Sequence, residues 1–362
     1  MHREVQRYIA VIKNPLVILY RLLTGMACYY DTTNWSERPF FNTRGTRNKC
    51  VVINPENNID YYFKTSMLKE GKNYKPEFWS EIIASEVGRS LGFNVLEYNI
   101  AKHGSDVGCL SQSMNSDEES LTEGIGLLTG YDNTYNPNDK TSYSAYTFDF
   151  IRKALEYFQW GEYIDDIIKI VIFDSIIGNS DRHQENWGFI TTLNPIAREG
   201  NKTLVNKLAS LLRIKKNDVK EIEVTIKLIP MQGRFAPIYD SGCCLAREKS
   251  DEDVTKLLRD SLMFDSYINR GKSEIRWGER GEKLNHFALI KEIRKAYKET
   301  VDNEIRRIIE VFNPNNIREI IFNIDIALPD DLKASYALSE ERKELIYRLI
   351  INRFNRLKEV LL

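Results

Sequence analysis

The sequence lacks the patterns that mark disulfide-bonded, zinc-finger or membrane-spanning proteins. Its five cysteines form no CxxC pair, and its four histidines follow neither HExxH nor zinc-finger spacing. Cysteines of this kind are typical of reduced thiols in the cytosol, and Cys243 and Cys244 are interpreted as small buried thiols. The apolar stretch at 15–28 is too short to span a bilayer, and Arg21 interrupts it. A mixed-charge stretch precedes it, so we predict neither a membrane span nor a signal peptide.

The chain also has little net charge. Its 51 Lys and Arg residues nearly balance its 52 Asp and Glu residues, which leaves a formal net charge of −1. This balance gives no global reason to expect direct binding to nucleic acid or to an anionic membrane. Because one hydrophobic core stops growing at roughly 250–300 residues, the 362 residues predict two lobes with a ligand-binding cleft between them.

The order of local patterns predicts an α+β protein, with a small β-rich lobe followed by a larger helical lobe. Two β-branched and aromatic runs, at 49–53 and 59–64, flank the turn sequence NPENN, which predicts a hairpin. Residues 77–91 carry apolar side chains at helical spacing between Pro76 and Gly92, where helices begin and end. Further strands are expected near 95–101 and 107–111, and further helices at 148–158, 163–177 and 338–361.

We divide the chain where this character changes. Residues 1–35 form an N-terminal segment of uncertain structure, 36–115 an N-lobe and 116–362 a helical C-lobe. Acidic and polar residues, followed by a loop rich in Gly, Asn, Pro and Ser, mark the start of the C-lobe.

The most informative segment is IGNSDRHQENWGFI at 177–190, which predicts a polar loop between Gly178 and Gly188. Asp181 precedes Asn186 by five positions. Kinase catalytic loops use this spacing for the aspartate that accepts the proton of the substrate hydroxyl and the asparagine that binds magnesium. The spacing also occurs by chance in many loops, so by itself it is a weak signal.

Two neighbours of this pair have less specific interpretations. Asp174, inside the preceding apolar helix, is interpreted as a structural residue whose hydrogen bonds fix the loop. His183 either positions Asp181 or a phosphate, or packs within the loop.

A second carboxylate, Asp240, ends the apolar run of FAPIYDSGCCL at 235–245, just before Gly242. A carboxylate at the end of a strand, beside a flexible residue, suits a magnesium ligand that faces a cleft. Taken alone, the segment fits a hairpin turn capped by aspartate equally well.

The N-lobe offers the groups that would bind ATP phosphates. Lys64 ends a strand and Glu81 lies on the following helix, which is how kinases pair a phosphate-binding lysine with a glutamate. The loop NTRGTRNK at 42–49 could surround phosphates with backbone amides and cationic side chains, although alone it reads as a solvated basic turn. The residues assigned to phosphate binding in this loop are Gly45, Thr46, Arg47 and Lys49.

Taken together, these motifs resemble those of the HipA-like serine/threonine kinases, including the shorter CtkA-like relatives. GNSDRHQENWGF resembles the family's catalytic loop GNxDRHxxNWGF, and FAPIYDSGCCL resembles its metal motif APxYDxGxxL. WSEIIASEVGRSLGFNV resembles its helix xxExxAxxxAxxLGxxV, and TRGTRNK resembles its GxRxK region. The resemblance runs from about Trp35 to the C-terminus. It implies a bilobal protein-kinase-like fold.

The resemblance assigns a role to each of five residues. Asp181 is the catalytic base, Asn186 and Asp240 bind magnesium, and Lys64, paired with Glu81, holds ATP phosphates. The implied reaction is ATP- and Mg²⁺-dependent transfer of the γ-phosphate to Ser or Thr hydroxyls of a protein substrate. A lipid or small-molecule kinase and a nucleotide- or partner-binding pseudokinase are the alternatives. The presence of all five core residues argues against a pseudokinase.

The resemblance also implies a biological setting. It predicts a bacterial kinase that is located in the cytoplasm and acts as a toxin or an effector, and secretion of an effector stays open. It also predicts an antitoxin-like regulator and no direct contact with DNA. Self-phosphorylation is expected in the phosphate loop, where Thr43 and Thr46 lie beside basic residues.

The chain departs from the family pattern in two places. Asp181 and Asp240 lie 59 positions apart, and residues 191–230 are interpreted as an insertion with a helix at 204–213 and a strand at 224–229. The extra N-terminal subdomain of the longer relatives, which helps to contact the antitoxin, is expected to be absent or reduced to residues 1–35.

Overall fold

The computed structural model describes residues 26–39, 49–69, 72–73, 76–192 and 233–362. These residues form a β-rich N-lobe and a helical C-lobe, which confirms the predicted α+β, bilobal, kinase-like fold. In the part of the chain so described, no helix is long and apolar enough to cross a bilayer.

A six-stranded sheet forms the N-lobe, with the spatial order β1-β7-β8-β4-β3-β2. A separate two-stranded ribbon, β5–β6, follows β4 in the chain. The strands are β1 (Tyr29–Asp31), β2 (Ser36–Glu37), β3 (Lys49–Ile53), β4 (Asp60–Thr65), β5 (Leu68–Lys69), β6 (Lys72–Asn73), β7 (Asn99–His103) and β8 (Asp106–Gln112).

The six-stranded sheet is curled, and its connectivity shows why. β1 and β2 are its two edge strands, yet only residues 32–35 connect them. In a flat sheet, five strand spacings would separate these edges by roughly 24 Å. Five residue steps of extended chain reach only about 18 Å. The curl brings the two edges together around an interior cluster of Val52, Tyr61, Phe63, Ala101 and Leu110.

The predicted hairpin and helix of this lobe are confirmed. β3 and β4 pair antiparallel with Lys49 opposite Lys64, and Asn58 closes the turn with a φ of 57°. The predicted helix is α1 (Glu77–Ser90), which begins after Pro76 and is followed by Gly92. Its buried side chains join a core that continues into the C-lobe.

The C-lobe combines a small sheet with most of the helices. The sheet has the order β11-β10-β9, with β9 (Glu119–Glu123), β10 (Gly188–Thr192) and β11 (Gly233–Phe235). The helices are α2 (Gly124–Tyr131), α3 (Phe148–Tyr157), α4 (Ile164–Ile177), α5 (Asp251–Arg259), α6 (Ser261–Arg270), α7 (His286–Ala296), α8 (Lys298–Val311), α9 (Pro314–Phe322), α10 (Asp330–Tyr336) and α11 (Glu340–Lys358). Short 3₁₀ turns occur at Lys140–Ala145, Gly161–Tyr163 and Glu359–Leu361.

The central helix α4 positions the polar loop that follows it. It packs against α7, α8 and α11 and is buried along most of its length. It ends at Gly178, whose φ of 71° favours glycine. Arg353 of α11 closes this end, because its Nη1 donates to the carbonyl of Ser175 at 3.3 Å. A Cβ at Gly178 would lie 2.8 Å from the Arg353 guanidinium, so the loop starts at a fixed point.

Two predictions about strands need correction. The strand expected near residue 95 starts only at Asn99, because Val95 forms an isolated bridge with Ile238 of the other lobe. The apolar run before Asp240 is a regular strand only over Gly233–Phe235, because Ile238 forms the bridge with Val95 instead.

Two further predictions can be compared with the structure only in part. Residues 191–192, which were counted in the predicted insertion, belong to β10. The helix and the strand predicted within the insertion lie outside the described residues. Residues 29–31, within the N-terminal segment left without a structural prediction, form an edge of the N-lobe sheet. The domain boundaries themselves stay predictions.

Candidate active site

The loop between α4 and β10 brings Asp181 and Asn186 together. The side-chain amide of Asn186 donates to the carbonyl of Asp181 at 2.7 Å. The backbone N–H groups of His183 and Asn186 donate to the carbonyls of Asp181 and His183, each at 2.9 Å. The loop is therefore a pair of tight turns. The Asp181 side chain is half-buried in it and Asn186 is buried.

A buried ion pair anchors this loop to α4. Arg182, 1% exposed, donates from Nε and Nη2 to the two oxygens of Asp174 at 3.0 and 2.8 Å. The side-chain amide of Asn179 donates to the same carboxylate at 3.1 Å. Burial opposes the charge on Arg182, but the Asp174 carboxylate outweighs it and raises the pKa of Arg182 above its usual value. The prediction that Asp174 fixes the loop is confirmed.

Arg182 also connects the loop to the segment that carries Asp240. Its Nη1 donates to the carbonyls of Asn186, at 2.8 Å, and of Tyr239. Its Nη2 donates to the hydroxyl of Ser241 at 3.1 Å. Arg182 thus holds both neighbours of Asp240 in place. The sequence analysis did not predict this role. The signal that could have indicated it is an arginine in a loop directly after an apolar helix that contains an aspartate.

Asp240 adopts an unusual backbone conformation. Its φ is 52°, in the left-handed region that non-glycine residues seldom occupy and that often occurs at functional sites. Its N–H donates to the hydroxyl of Tyr98 at 3.3 Å. Burial, with the negative charges of Glu81 and Asp240, raises the pKa of Tyr98 well above its usual value. Tyr98 is therefore a neutral support for Asp240, and no sequence pattern indicated it.

Lys64 joins the two lobes at the site. Its Nζ forms an ion pair with Glu81 and a second with Asp240, at 2.6 Å. The other oxygen of Glu81 accepts the backbone N–H of Ser241 at 2.8 Å. Lys64 and Glu81 are both buried, so these charges lie largely out of water. The structure thus forms the Lys64–Glu81 pair that the sequence predicts and extends it to Asp240.

The prediction of two buried thiols near Asp240 is correct for Cys244 and wrong for Cys243. Cys244 is buried, and burial raises its pKa well above the usual value. Cys243 is only half-buried, and its thiol donates to Oδ2 of Asp181 at 3.1 Å. Arg247 donates to the Cys243 sulfur at 3.0 Å. Cys243 therefore restrains the carboxylate of Asp181, which the chain pattern alone did not indicate.

The remaining predicted site residues are placed less completely. Gly45, Thr46 and Arg47 lie outside the described residues. Lys49 begins β3 opposite Lys64, so both side chains leave the same face of the hairpin. In the catalytic loop, Nδ1 of His183 accepts the N–H of Glu185 at 3.3 Å, and a phosphate-binding role for His183 stays a prediction.

The donor set of this site suits a hard cation. Asn186 and Asp240 offer an amide oxygen and a carboxylate oxygen, and oxygen ligands of this kind suit Mg²⁺ beside phosphate oxygens and water. Lys64 lies against Asp240 with a buried ammonium, where it can neutralise phosphate charge. The described residues therefore fit a magnesium-bound nucleoside triphosphate.

The chain is similar in sequence to a known kinase. No protein-family model matches the chain. It is 23% identical over 290 residues to the serine/threonine-protein kinase CtkA of Helicobacter pylori, covering 78% of this chain and 74% of that protein.

Two solved structures are similar to the chain to different degrees. The crystal structure of the Helicobacter pylori proinflammatory kinase CtkA has a TM-score of 0.68 at 19% identity, covering 92% of this chain and 96% of that chain. Shewanella oneidensis HipA, solved with HipB and operator DNA, has a TM-score of 0.44 at 11% identity, covering 95% and 70%. The comparisons with CtkA confirm the resemblance to HipA-like kinases.

Proposed function

We propose that this protein is an ATP- and Mg²⁺-dependent kinase that transfers the γ-phosphate to Ser or Thr hydroxyls of a protein substrate. The observation that carries the proposal is the continuous charged chain from Glu81 through Lys64 to Asp240. In this chain, the lysine of one lobe that is predicted to bind phosphate contacts the predicted metal ligand of the other lobe. The similarity to a serine/threonine-protein kinase supports the choice of acceptor.

Each residue has a separate task in this proposal. The acceptor hydroxyl loses its proton to the Asp181 carboxylate as its oxygen bonds to the γ-phosphorus, and the bond to the β-phosphate oxygen breaks. Lys64 holds the phosphates, and Glu81 keeps the lysine in place. Asn186 and Asp240 would hold magnesium, which neutralises charge on the phosphate oxygens. Arg182 positions Asp240 through the two residues beside it, and Cys243 restrains the carboxylate of Asp181.

The kinase proposal is tested by following labelled phosphate. Purified protein is incubated with γ-labelled ATP, Mg²⁺ and a bacterial lysate, and the labelled proteins are hydrolysed for phosphoamino-acid analysis. We expect label on serine or threonine, and its loss on chelation of Mg²⁺ by EDTA. Label confined to the lipid or small-molecule fraction would instead identify the alternative class of kinase. ATP binding without any transfer would identify a pseudokinase.

A second prediction tests the metal role of Asp240. Asp240→Asn should raise the Kd for ATP at saturating Mg²⁺ by at least about tenfold, or about 1.4 kcal/mol. In EDTA the same variant should bind ATP as well as the parent or better, because Lys64 loses a competing carboxylate. The measurement is calorimetric titration of ATP across a series of Mg²⁺ concentrations.

The control for this experiment is Asp117→Asn, which makes the same change at an exposed position. This variant should bind like the parent at every Mg²⁺ concentration. A Kd for Asp240→Asn that is weakened equally with and without Mg²⁺ would contradict the metal role and indicate a structural one.

The narrower predictions rest on the family resemblance alone. An antitoxin-like regulator, a toxin or effector role and a bacterial cytoplasmic location are proposed on that basis. Self-phosphorylation of Thr43 or Thr46 is proposed for a segment outside the described residues. Peptide mass spectrometry of the parent and of Asp181→Asn tests it, since self-phosphorylation requires phosphate only in the parent.

A further inference from the structure

A second cluster of ligating side chains lies in the N-lobe, apart from the catalytic loop. Glu37 of β2, Cys50 of β3 and His103 of β7 each offer one ligand atom, and these atoms all lie within 4.8 Å of one another. Nε2 of His103 is 3.1 Å from Oε1 of Glu37. The three residues offer a sulfur, a nitrogen and an oxygen to one point, which is the donor combination that zinc accepts.

The curl of the sheet creates this cluster. In strand order β8 and β4 separate β7 from β3, so His103 would be far from Glu37 and Cys50 in a flat sheet. Residues 32–35 close the curl and bring β2 and β3 against the end of β7. Phe63 supports the cluster from the interior, with its ring centroid 5.5 Å from that of His103. Cys50 packs against the interior cluster, whereas Glu37 lies at the exposed edge.

His103 is oriented as a metal-binding histidine is. Its Nδ1 lies 3.0 Å from the carbonyl oxygen of Thr32. In the tautomer with the proton on Nδ1, this nitrogen donates to the carbonyl and Nε2 carries the lone pair that a metal ion requires. Without a metal, the contact of Nε2 with the Glu37 carboxylate needs a proton on Nε2, because a carboxylate oxygen only accepts. A backbone carbonyl on the other ring nitrogen is the usual way in which proteins fix the tautomer of a histidine that binds metal.

The observed spacing is close to that of a tetrahedral site. With the usual zinc–ligand distances, neighbouring ligand atoms in a tetrahedral site lie about 3.4–3.6 Å apart. The Glu37–His103 distance of 3.1 Å must open by about 0.3 Å to reach this spacing. The thiol must close by at most about 1.4 Å from the 4.8 Å limit, which a change of side-chain rotamer can supply.

We propose that Glu37, Cys50 and His103 bind one zinc ion, with water at the fourth position. Binding replaces the thiol proton of Cys50 by the metal and releases that proton to solvent. The ion would join the edge strand β2 and its neighbour β3 to β7, on the strands that lead into the candidate phosphate site. This would stabilise the curled N-lobe whether or not nucleotide is bound. The competing interpretation is an ion pair between a protonated His103 and Glu37, with Cys50 as a bystander.

The proposal is tested with cobalt(II), which reports its ligands by absorption. The metal-free protein is titrated with cobalt in Mg²⁺-free buffer, and zinc is then added. We expect one equivalent of cobalt to give thiolate-to-metal charge transfer and the visible bands of a tetrahedral site, both removed by zinc. Zinc alone should raise the thermal unfolding temperature. Absence of a thiolate band in the parent would overturn the proposal in favour of the ion pair.

Matched variants identify the thiol that binds. Cys50→Ser should remove the charge-transfer band, and His103→Gln should weaken cobalt binding by more than about 100-fold, since even residues that only orient ligands contribute 10–100-fold. The matched control is Cys243→Ser, because Cys243 contacts Asp181 and is the competing thiol near carboxylates. A band that survives Cys50→Ser and disappears in Cys243→Ser would overturn the proposal.

A further measurement uses only the parent protein, so it does not depend on whether the variants fold. In the parent protein, zinc should slow alkylation of Cys50 by iodoacetamide, measured by peptide mass spectrometry, and leave Cys243 unchanged. Equal alkylation of Cys50 with and without zinc would contradict the site. The cobalt titrations and the alkylation measurement use no ATP, so their results are independent of the proposed kinase activity.

Discussion

Asp181→Asn is expected to lower the rate of phosphoryl transfer by about 10²–10⁴-fold, the usual contribution of a general base. An asparagine side chain cannot take the proton of the acceptor hydroxyl. The change preserves shape, and the loop is held through the Asp181 backbone, whose carbonyl accepts from Asn186 at 2.7 Å. The fold and the Kd for ATP should therefore stay close to those of the parent. Single-turnover rates and ATP titration measure the two effects separately.

A matched control distinguishes the base from a general effect of charge. Glu185→Gln removes one negative charge from the same loop, at a half-buried position. Its rate should stay within a few-fold of the parent. If Asp181→Asn and Glu185→Gln reduce the rate equally, or if Asp181→Asn transfers phosphate as fast as the parent, Asp181 is not the base.

Asp174→Ala is expected to lower the free energy of unfolding by about 3–5 kcal/mol, the usual effect of removing one partner of a buried ion pair. Arg182 would remain buried with its charge uncompensated, since both oxygens of Asp174 accept from it. Surviving folded protein should also bind Mg²⁺–ATP more weakly, because Arg182 holds both neighbours of Asp240. Urea unfolding followed by circular dichroism measures the loss of stability.

The chain offers an exposed pair as the comparison. Asp149 and Arg152 form an ion pair on α3 with side chains 50% and 29% exposed. Asp149→Ala should cost less than about 1 kcal/mol, as exposed pairs do. Asp174→Ala combined with Arg182→Met should recover part of the loss, because apolar groups can replace a buried pair at little cost. Equal losses for Asp174→Ala and Asp149→Ala would show that the buried pair does not anchor the loop.

The sequence by itself determined the local elements that carry the predicted site residues. The β3–β4 hairpin, α1 and the polar loop after α4 depend on residues a few positions apart, so turn chemistry and helical periodicity were sufficient to predict them. The pairing of Lys64 with Glu81 was predicted from the kinase pattern of a strand lysine and a helix glutamate, and the structure contains this ion pair.

The tertiary structure alone decided how distant segments meet. Lys64 contacts Asp240 across 176 positions of sequence, and the left-handed φ of Asp240 depends on packing that no local pattern encodes. Arg182 could be recognised as the link between the loop and Asp240 only once both were placed. The cluster of Glu37, Cys50 and His103 exists because the sheet curls, which brings together strands that are not neighbours in the sheet. Local patterns fix the backbone over a few residues, whereas packing of the whole chain selects the side chains that share a site.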